Sequence, residues 1–235
     1  MRIITKIYLF LIFSFTLLLS GTSFAQEGES ELGAWYVYIW NTDFKESHFG
    51  VMGDVQYRNY SVFSDFQQFI ARGALSYSFE NMPLKVATGY GFFNSGTFDE
   101  SDAKFQENRI HQDFIWSQQL GKHIYTSHRI RLEERFVDDQ DFRTRARYML
   151  AIKVPLTKSD LSKNSVYFSG YSEVFINGQK NIGNGRKVTL FDRNWSFAGL
   201  GYSISDQLRF ETGYMRETTS SQSKGQLTFT LFQTF

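Results

Sequence analysis

The sequence predicts an all-β fold, a transmembrane antiparallel up-and-down β-barrel of ten or twelve strands, preceded by a cleaved signal peptide. Three observations support this prediction. The chain opens with an export-type leader, the remainder alternates apolar with polar residues, and the last residue is aromatic. An aromatic content of 18% with only two prolines also favours strands.

The first 25 residues have the three parts of a secretory signal peptide. Arg2 and Lys6 supply the positive region, residues 7–20 the apolar region, and a small-x-small site ends at Ala25. An uncleaved membrane anchor is the alternative, but the apolar run is short for a bilayer span. No cysteine follows the run, which excludes a lipoprotein anchor. We therefore expect cleavage after Ala25.

The predicted mature chain, residues 26–235, is long enough for one sizeable barrel domain. Removing Arg2 and Lys6 from the 25 basic residues leaves 23 against 24 acidic ones. This balance argues against a nucleic-acid partner. With no cysteine in an exported chain, stability has to come from packing or from closure of a sheet rather than from disulfides.

Strand segments follow from a two-residue period. Near the C-terminus, Leu208, Phe210 and Tyr214 share one face, whereas Arg209 and Glu211 share the other. The same criterion predicts segments at 34–42, 49–59, 66–79, 84–93, 106–119, 123–135, 142–154, 166–176, 191–204, 207–216 and 226–235.

A single-chain bacterial barrel with both ends on one side of the membrane needs an even strand number. We therefore expect ten or twelve strands, with the error in the hairpin at 33–59, where WYVYIW is apolar on both faces. Tight turns are predicted to alternate with long polar loops, the latter at 94–104, 177–187 and 217–225. That alternation is typical of outer-membrane barrels of Gram-negative bacteria.

The terminal residue, Phe235, closes a strand with apolar residues at alternate positions, including Leu231, Phe229 and Leu227. Outer-membrane barrels end in this way, so we expect the last strand to be the signal for the barrel assembly machinery. Aromatic residues near predicted strand ends suit contact with outer-membrane lipids at the interface.

The stretch RLEERFVDDQDFRTRARYML contains the densest charge. In phase with the strands, its arginines and Glu133 all point away from the apolar face. An Arg or Lys facing lipid at mid-bilayer would cost about 2–4 kcal/mol, so we expect these charges in the lumen. The predicted lumen charge network is Arg109, His111, Asp113, Arg129, Arg131, Glu133, Arg135, Arg143, Arg145, Arg147, Glu173, Arg209 and Glu211.

Two interpretations of this network stay open. Arginine–carboxylate pairs could simply fill and rigidify a narrow barrel, which the small interior at this strand number favours. Alternatively, the lumen could be a porin-like narrow path or a binding site for a small anionic solute.

No catalytic constellation is evident. A lipid hydrolase of this architecture would need a Ser–His pair on the lipid-facing surface; His128 has the outward phase, but Ser127 points inward. The acidic groups Asp138–Asp139 and Asp99, Glu100 and Asp102 lack a calcium-loop pattern, and no phosphate-binding motif occurs. We predict no catalytic residue, no metal and no cofactor.

Several segments together resemble an outer-membrane barrel family of Bacteroidota-type bacteria, the domain of unknown function 2490. They are VQYRNY, ENRIHQDF, SHRIRLEERF, RTRARYML with its KVPL ending, EVFIN and FDRNWSFAGLGYSISDQLRFETGYM, and they span nearly the whole predicted mature chain. Trp195 is a minor departure from the pattern. The resemblance implies a barrel in the outer membrane and supplies no catalytic residue.

The sequence thus favours a non-enzymatic outer-membrane protein, either structural or with a narrow pore or ligand-binding lumen. The alternatives are an outer-membrane lipid hydrolase or deacylase, and a soluble periplasmic barrel in which the polar faces would point outward.

Overall fold

A computed structural model describes residues 32–97 and 100–235, without the side chains of residues 100–103. The predicted signal peptide, residues 1–25, lies outside the described residues, as does the start of the predicted domain. No helix in the described part of the chain is long and apolar enough to cross a membrane.

The described residues form one closed barrel of eleven strands. The strands are β1 (Gly33–Asp43), β2 (Phe49–Asn59), β3 (Phe66–Ser78), β4 (Leu84–Thr97), β5 (Glu100–Leu120), β6 (Ile124–Val137), β7 (Arg143–Pro155), β8 (Val166–Asn177), β9 (Phe191–Ser203), β10 (Leu208–Thr218) and β11 (Ser223–Thr234). Each strand pairs antiparallel with its neighbour in the chain, and β1 pairs with β11 to close the barrel.

The expected count of ten or twelve strands is wrong, because the closing pair is parallel. Along the seam between β1 and β11, Gly33 lies opposite Gln226 and Asn41 opposite Thr234. The even-number rule applies when the first and last strands are antiparallel. Here they are parallel, so an odd number of strands closes the barrel. The hairpin at 33–59 is an ordinary antiparallel pair of β1 and β2, so no strand is missing there.

Two predicted long loops are also largely strand. β4 continues to Thr97 and β5 starts at Glu100, so most of 94–104 is part of the sheet. The loop predicted at 217–225 shrinks to residues 219–222. Polar side chains in these segments do not prevent ladder formation, since the backbone groups make the hydrogen bonds.

The connections define two ends of the barrel. Among the described residues, the loop end carries 60–65, 138–142, 178–190 and 219–222. The turn end carries 44–48, 79–83, 121–123, 156–165 and 204–207. Because β1 runs parallel to β11, Gly33 lies at the loop end, whereas the C-terminal Phe235 lies at the turn end.

Candidate functional site: the charged interior

The barrel has an inverted distribution of polarity. Charged side chains of the interior, such as Glu133 at 2% and Arg147 at 4% exposure, are buried. On the intervening positions, Leu132 and Tyr148 are exposed at 45% and 46%. The two-residue period of each strand therefore sends charge inward and apolar surface outward.

Glu133 on β6 is the acidic centre of the interior. Its two carboxylate oxygens accept hydrogen bonds from Arg145 Nε at 2.7 Å and from Arg147 Nη1 at 2.9 Å, and Arg109 Nη1 lies 3.6 Å away. Both arginines extend the network, because Arg145 also binds Asp192 at 2.6 Å and Arg147 also binds Glu173 at 2.9 Å. Charge-assisted bonds of this length are about twice as strong as neutral ones.

Glu173 on β8 links two strands on the same side of the barrel. Its Oε1 accepts hydrogen bonds from Arg147 Nε and from Arg129 Nη2, both at 2.9 Å. Arg147 therefore bridges Glu133 and Glu173. The pattern ties β6, β7 and β8 together through side chains in addition to the backbone ladder.

Asp113 on β5 receives a bidentate guanidinium. Arg131 Nε and Nη2 donate to its two oxygens at 2.6 and 2.7 Å. His111 Nε2 lies 3.8 Å from the same carboxylate, and both groups are almost fully buried. Asp54 and Arg72, on β2 and β3, form a second bidentate pair at 2.8 and 2.9 Å.

At the turn end, Glu211 is held by three groups. Tyr167 Oη donates at 2.9 Å, Ser169 Oγ donates at 2.8 Å, and Lys153 forms an ion pair. Gly201 makes room for this arrangement, since a Cβ there would overlap the ring of Tyr167.

The predicted residues do not all join the network. Within the described part of the chain, Arg143 and Arg209 make neither an ion pair nor a hydrogen bond through their side chains, whereas every other predicted member has an ionic partner. Arg209 instead lines a cavity of about 90 Å³ at the turn end, together with Asn41, Lys153 and Phe232.

Several interior residues were not predicted from the sequence. Glu107 has the same phase as Arg109 and could have been found; it accepts two bonds from Arg109, at 2.6 and 2.7 Å, and two from Arg135, at 2.5 and 2.9 Å. Asp192 and Arg193 both enter the network beside a register shift between β8 and β9. A bulge of this kind re-aims side chains and has no clear sequence signature here.

Aromatic residues also occupy the interior, where only charges were predicted. Trp35, Phe175, Trp195, Phe197 and Met215 form one buried cluster. Guanidinium groups stack on the interior rings, with Arg58 Cζ 3.6 Å from the ring centroid of Trp35. Such cation–π contacts stabilise cations that are removed from water.

Two features predicted from the sequence, the terminal Phe235 and the outward-facing His128, lie outside the interior. Phe235 follows the end of β11, is 67% exposed, and its backbone N–H donates to the carbonyl of Asn41 at 3.0 Å. On the outer surface, His128 Nδ1 lies 2.8 Å from Tyr148 Oη, and no serine hydroxyl in the described chain bonds to this histidine. The residues that the structure describes include no group of three His, Cys, Asp or Glu side chains that could hold a metal.

The interior as a whole is a packed network of charged, aromatic and hydroxyl side chains. Buried ion pairs are not in themselves strongly stabilising, but loss of one partner is costly. The network therefore fixes the relative positions of the strands that carry it.

One of three comparisons with known proteins identifies a family for this chain. Neither curated proteins nor solved structures give a significant match. A family described as "Protein of unknown function (DUF2490)" matches residues 32–228, which confirms the resemblance stated above. The match covers most of the chain, and the protein belongs to this family.

Proposed function

We propose that this protein is an integral barrel of a bacterial outer membrane, with a non-enzymatic role and an interior filled by side chains. The observation that carries this proposal is the inverted polarity of the barrel. Large apolar side chains are exposed on many strands, namely Val55, Tyr57, Leu75, Tyr90, Ile110, Phe114, Ile130, Leu132, Tyr148, Leu150, Ile176, Leu200, Phe210 and Tyr214.

A soluble monomer rarely exposes an apolar patch larger than a few hundred Å². In a bilayer the same surface is favourable, and closure of the sheet satisfies the backbone groups that an open edge would leave bare. A soluble ligand-binding barrel needs the reverse arrangement, with apolar residues inside. The buried carboxylates and guanidiniums argue against that alternative.

The packed interior supports a structural role rather than a wide pore. Glu133, Asp113 and Glu173 lie across the lumen side of β5, β6 and β8, and all three are at most 2% exposed. The partners proposed on this basis are outer-membrane lipids on the outer surface and the barrel assembly machinery at the strand that ends in Phe235.

Cell fractionation and heat-modifiable gel migration test the proposal. We expect the protein in the outer-membrane fraction, with unboiled protein migrating differently from boiled protein. Recovery in the soluble periplasmic fraction would refute membrane insertion. A variant that lacks Phe235 is expected to insert less efficiently, while a control that changes only exposed Ser221 to Ala inserts normally.

A further inference from the structure

Three arginines occupy directly paired positions at the loop end of the interior. Arg109 on β5 lies opposite Arg135 on β6, and Arg135 lies opposite Arg143 on β7. Like charges at directly opposite positions are destabilising unless a counter-ion lies between them.

The next two rows toward the turn end are different, because each contains a carboxylate. One row is His111, Glu133 and Arg145, and the next is Asp113, Arg131 and Arg147. The row of three arginines has no acidic member of its own.

One carboxylate reaches this row from a neighbouring position. Glu107 accepts two hydrogen bonds from Arg109 and two from Arg135, so both carboxylate oxygens of Glu107 are occupied. No described carboxylate accepts a hydrogen bond from Arg143 or forms an ion pair with it. The nearby Asp192 binds Arg145 at 2.6 Å and Arg193 at 3.3 Å instead.

Arg143 is buried, and its side chain has no hydrogen-bond or ion-pair partner among the described residues. Its residue exposure is 7%, its Nε is shielded from solvent without a hydrogen-bond partner, and it forms no ion pair with any described residue. A buried charge without a partner is costly, and an anion within reach of the guanidinium would remove that cost. The carboxylates beside the row, Glu107, Glu133 and Asp192, are each shared by at least two other guanidiniums, so the charge of Arg143 has no described counter-charge of its own.

We propose that Arg143, with Arg135 and Arg109 beside it, forms a binding site for a phosphate group at the loop end of the interior. The planar fork of a guanidinium matches two oxygens of a phosphate, and the negative charge of the phosphate offsets the unpaired charge of Arg143. Arg143 begins β7 directly after the connection 138–142, so the site lies near the mouth of the barrel. This inference goes beyond the structural role proposed above and does not depend on membrane location.

The rim of the site is held in place by the connection 178–190. The backbone N–H of Thr144 donates to Gln179 Oε1 at 2.6 Å, and that of Asp141 donates to the carbonyl of Ile182 at 3.0 Å. These bonds fix the chain on both sides of Arg143. With the backbone fixed, only the side chain of Arg143 has to be ordered when a phosphate binds, which reduces the loss of conformational entropy.

The test is unfolding of the full-length folded protein with increasing inorganic phosphate, at ionic strength matched with chloride. For the wild type we expect the unfolding midpoint to rise with phosphate concentration. In Arg143→Gln the apparent affinity for phosphate should fall about tenfold or more, as expected for loss of a charge-assisted contact. Arg216→Gln, at an exposed arginine, is the matched control and should respond like the wild type.

The variant also has a signature without phosphate. Because Arg143 has no hydrogen bond or ion pair with a described residue to lose, Arg143→Gln should be at least as stable as the wild type in chloride alone. A clear loss of stability there would show a structural role for Arg143 and overturn the proposal.

The source of the phosphate is resolved in a parallel experiment. The protein is placed in phosphatidylcholine vesicles with or without phosphatidic acid, which carries a phosphate monoester on a lipid. A rise in the unfolding midpoint with phosphatidic acid but not with inorganic phosphate identifies a lipid source. A rise with inorganic phosphate identifies a free solute. If neither form of phosphate raises the unfolding midpoint, or if both raise it equally in Arg143→Gln and in the wild type, the proposed site is refuted.

Discussion

The substitution Glu133→Gln tests whether the interior network holds the barrel together. Gln keeps the shape of the side chain but removes the charge that faces Arg145 and Arg147, at 2.7 and 2.9 Å. Glu133 has a side-chain exposure of 1%, so solvent cannot replace the lost interaction. Removal of one member of a buried pair costs about 3–5 kcal/mol.

The expected loss lies at the lower end of that range. Arg145 keeps Asp192 and Arg147 keeps Glu173 as partners, and Gln can still accept a hydrogen bond. We therefore expect the free energy of unfolding to fall by about 3 kcal/mol, which is roughly a hundredfold in the folding equilibrium.

Guanidinium unfolding in lipid vesicles, followed by tryptophan fluorescence, measures this change. Trp35 and Trp195 lie in the interior with ring centroids 4.8 Å apart, so their emission reports on the network. The matched control is Glu134→Gln, since the neighbouring Glu134 is only partly buried and has no ion pair with a described residue. We expect the control to change stability by less than about 0.5 kcal/mol. If the two variants unfold alike, the network does not stabilise the barrel.

Three further predictions follow from the fold. Gly201→Ala should cost about 1–3 kcal/mol by displacing the ring of Tyr167, whereas Gly73→Ala, which faces open space, should be nearly neutral in the same unfolding assay. Outer-membrane barrels have short turns on the periplasmic side and longer loops outside, so we expect the loop end of this barrel to face outward. In a chain without cysteine, Ser221→Cys should then react with an impermeant maleimide on intact cells and Lys122→Cys only after permeabilisation; the reverse pattern would contradict this orientation. In planar bilayers the wild type should show no stable porin-type openings, and large reproducible conductance steps would rule out a filled interior.

Strand positions were predictable because each strand buries one face, and a shift of one residue would exchange charge for apolar surface. The phase alone places Glu133 and Arg147 inside and Leu132 outside, as the structure has them. The barrel fold was predicted correctly for the same reason. The family resemblance was also predicted correctly, but it depends on particular segments such as SHRIRLEERF and EVFIN rather than on the alternation.

The remaining features depend on contacts between distant parts of the chain. The odd strand number follows from the pairing of Gly33 with Gln226, and no local pattern encodes a parallel seam. The inward position of Asp192 depends on a register shift between β8 and β9. The phase of Trp195 agrees with its interior position, but only the fold shows that it packs on Trp35.

Spin labels at single cysteines on the outer face test the central claim most directly. Labels at Leu132, Leu150 and Leu200, on β6, β7 and β9, are placed in the protein reconstituted into bilayers. If the apolar face lies in lipid, all three labels collide readily with oxygen and rarely with a water-soluble nickel chelate. Frequent collision with the nickel chelate at these positions would show that the face lies in water and would contradict a membrane-spanning barrel.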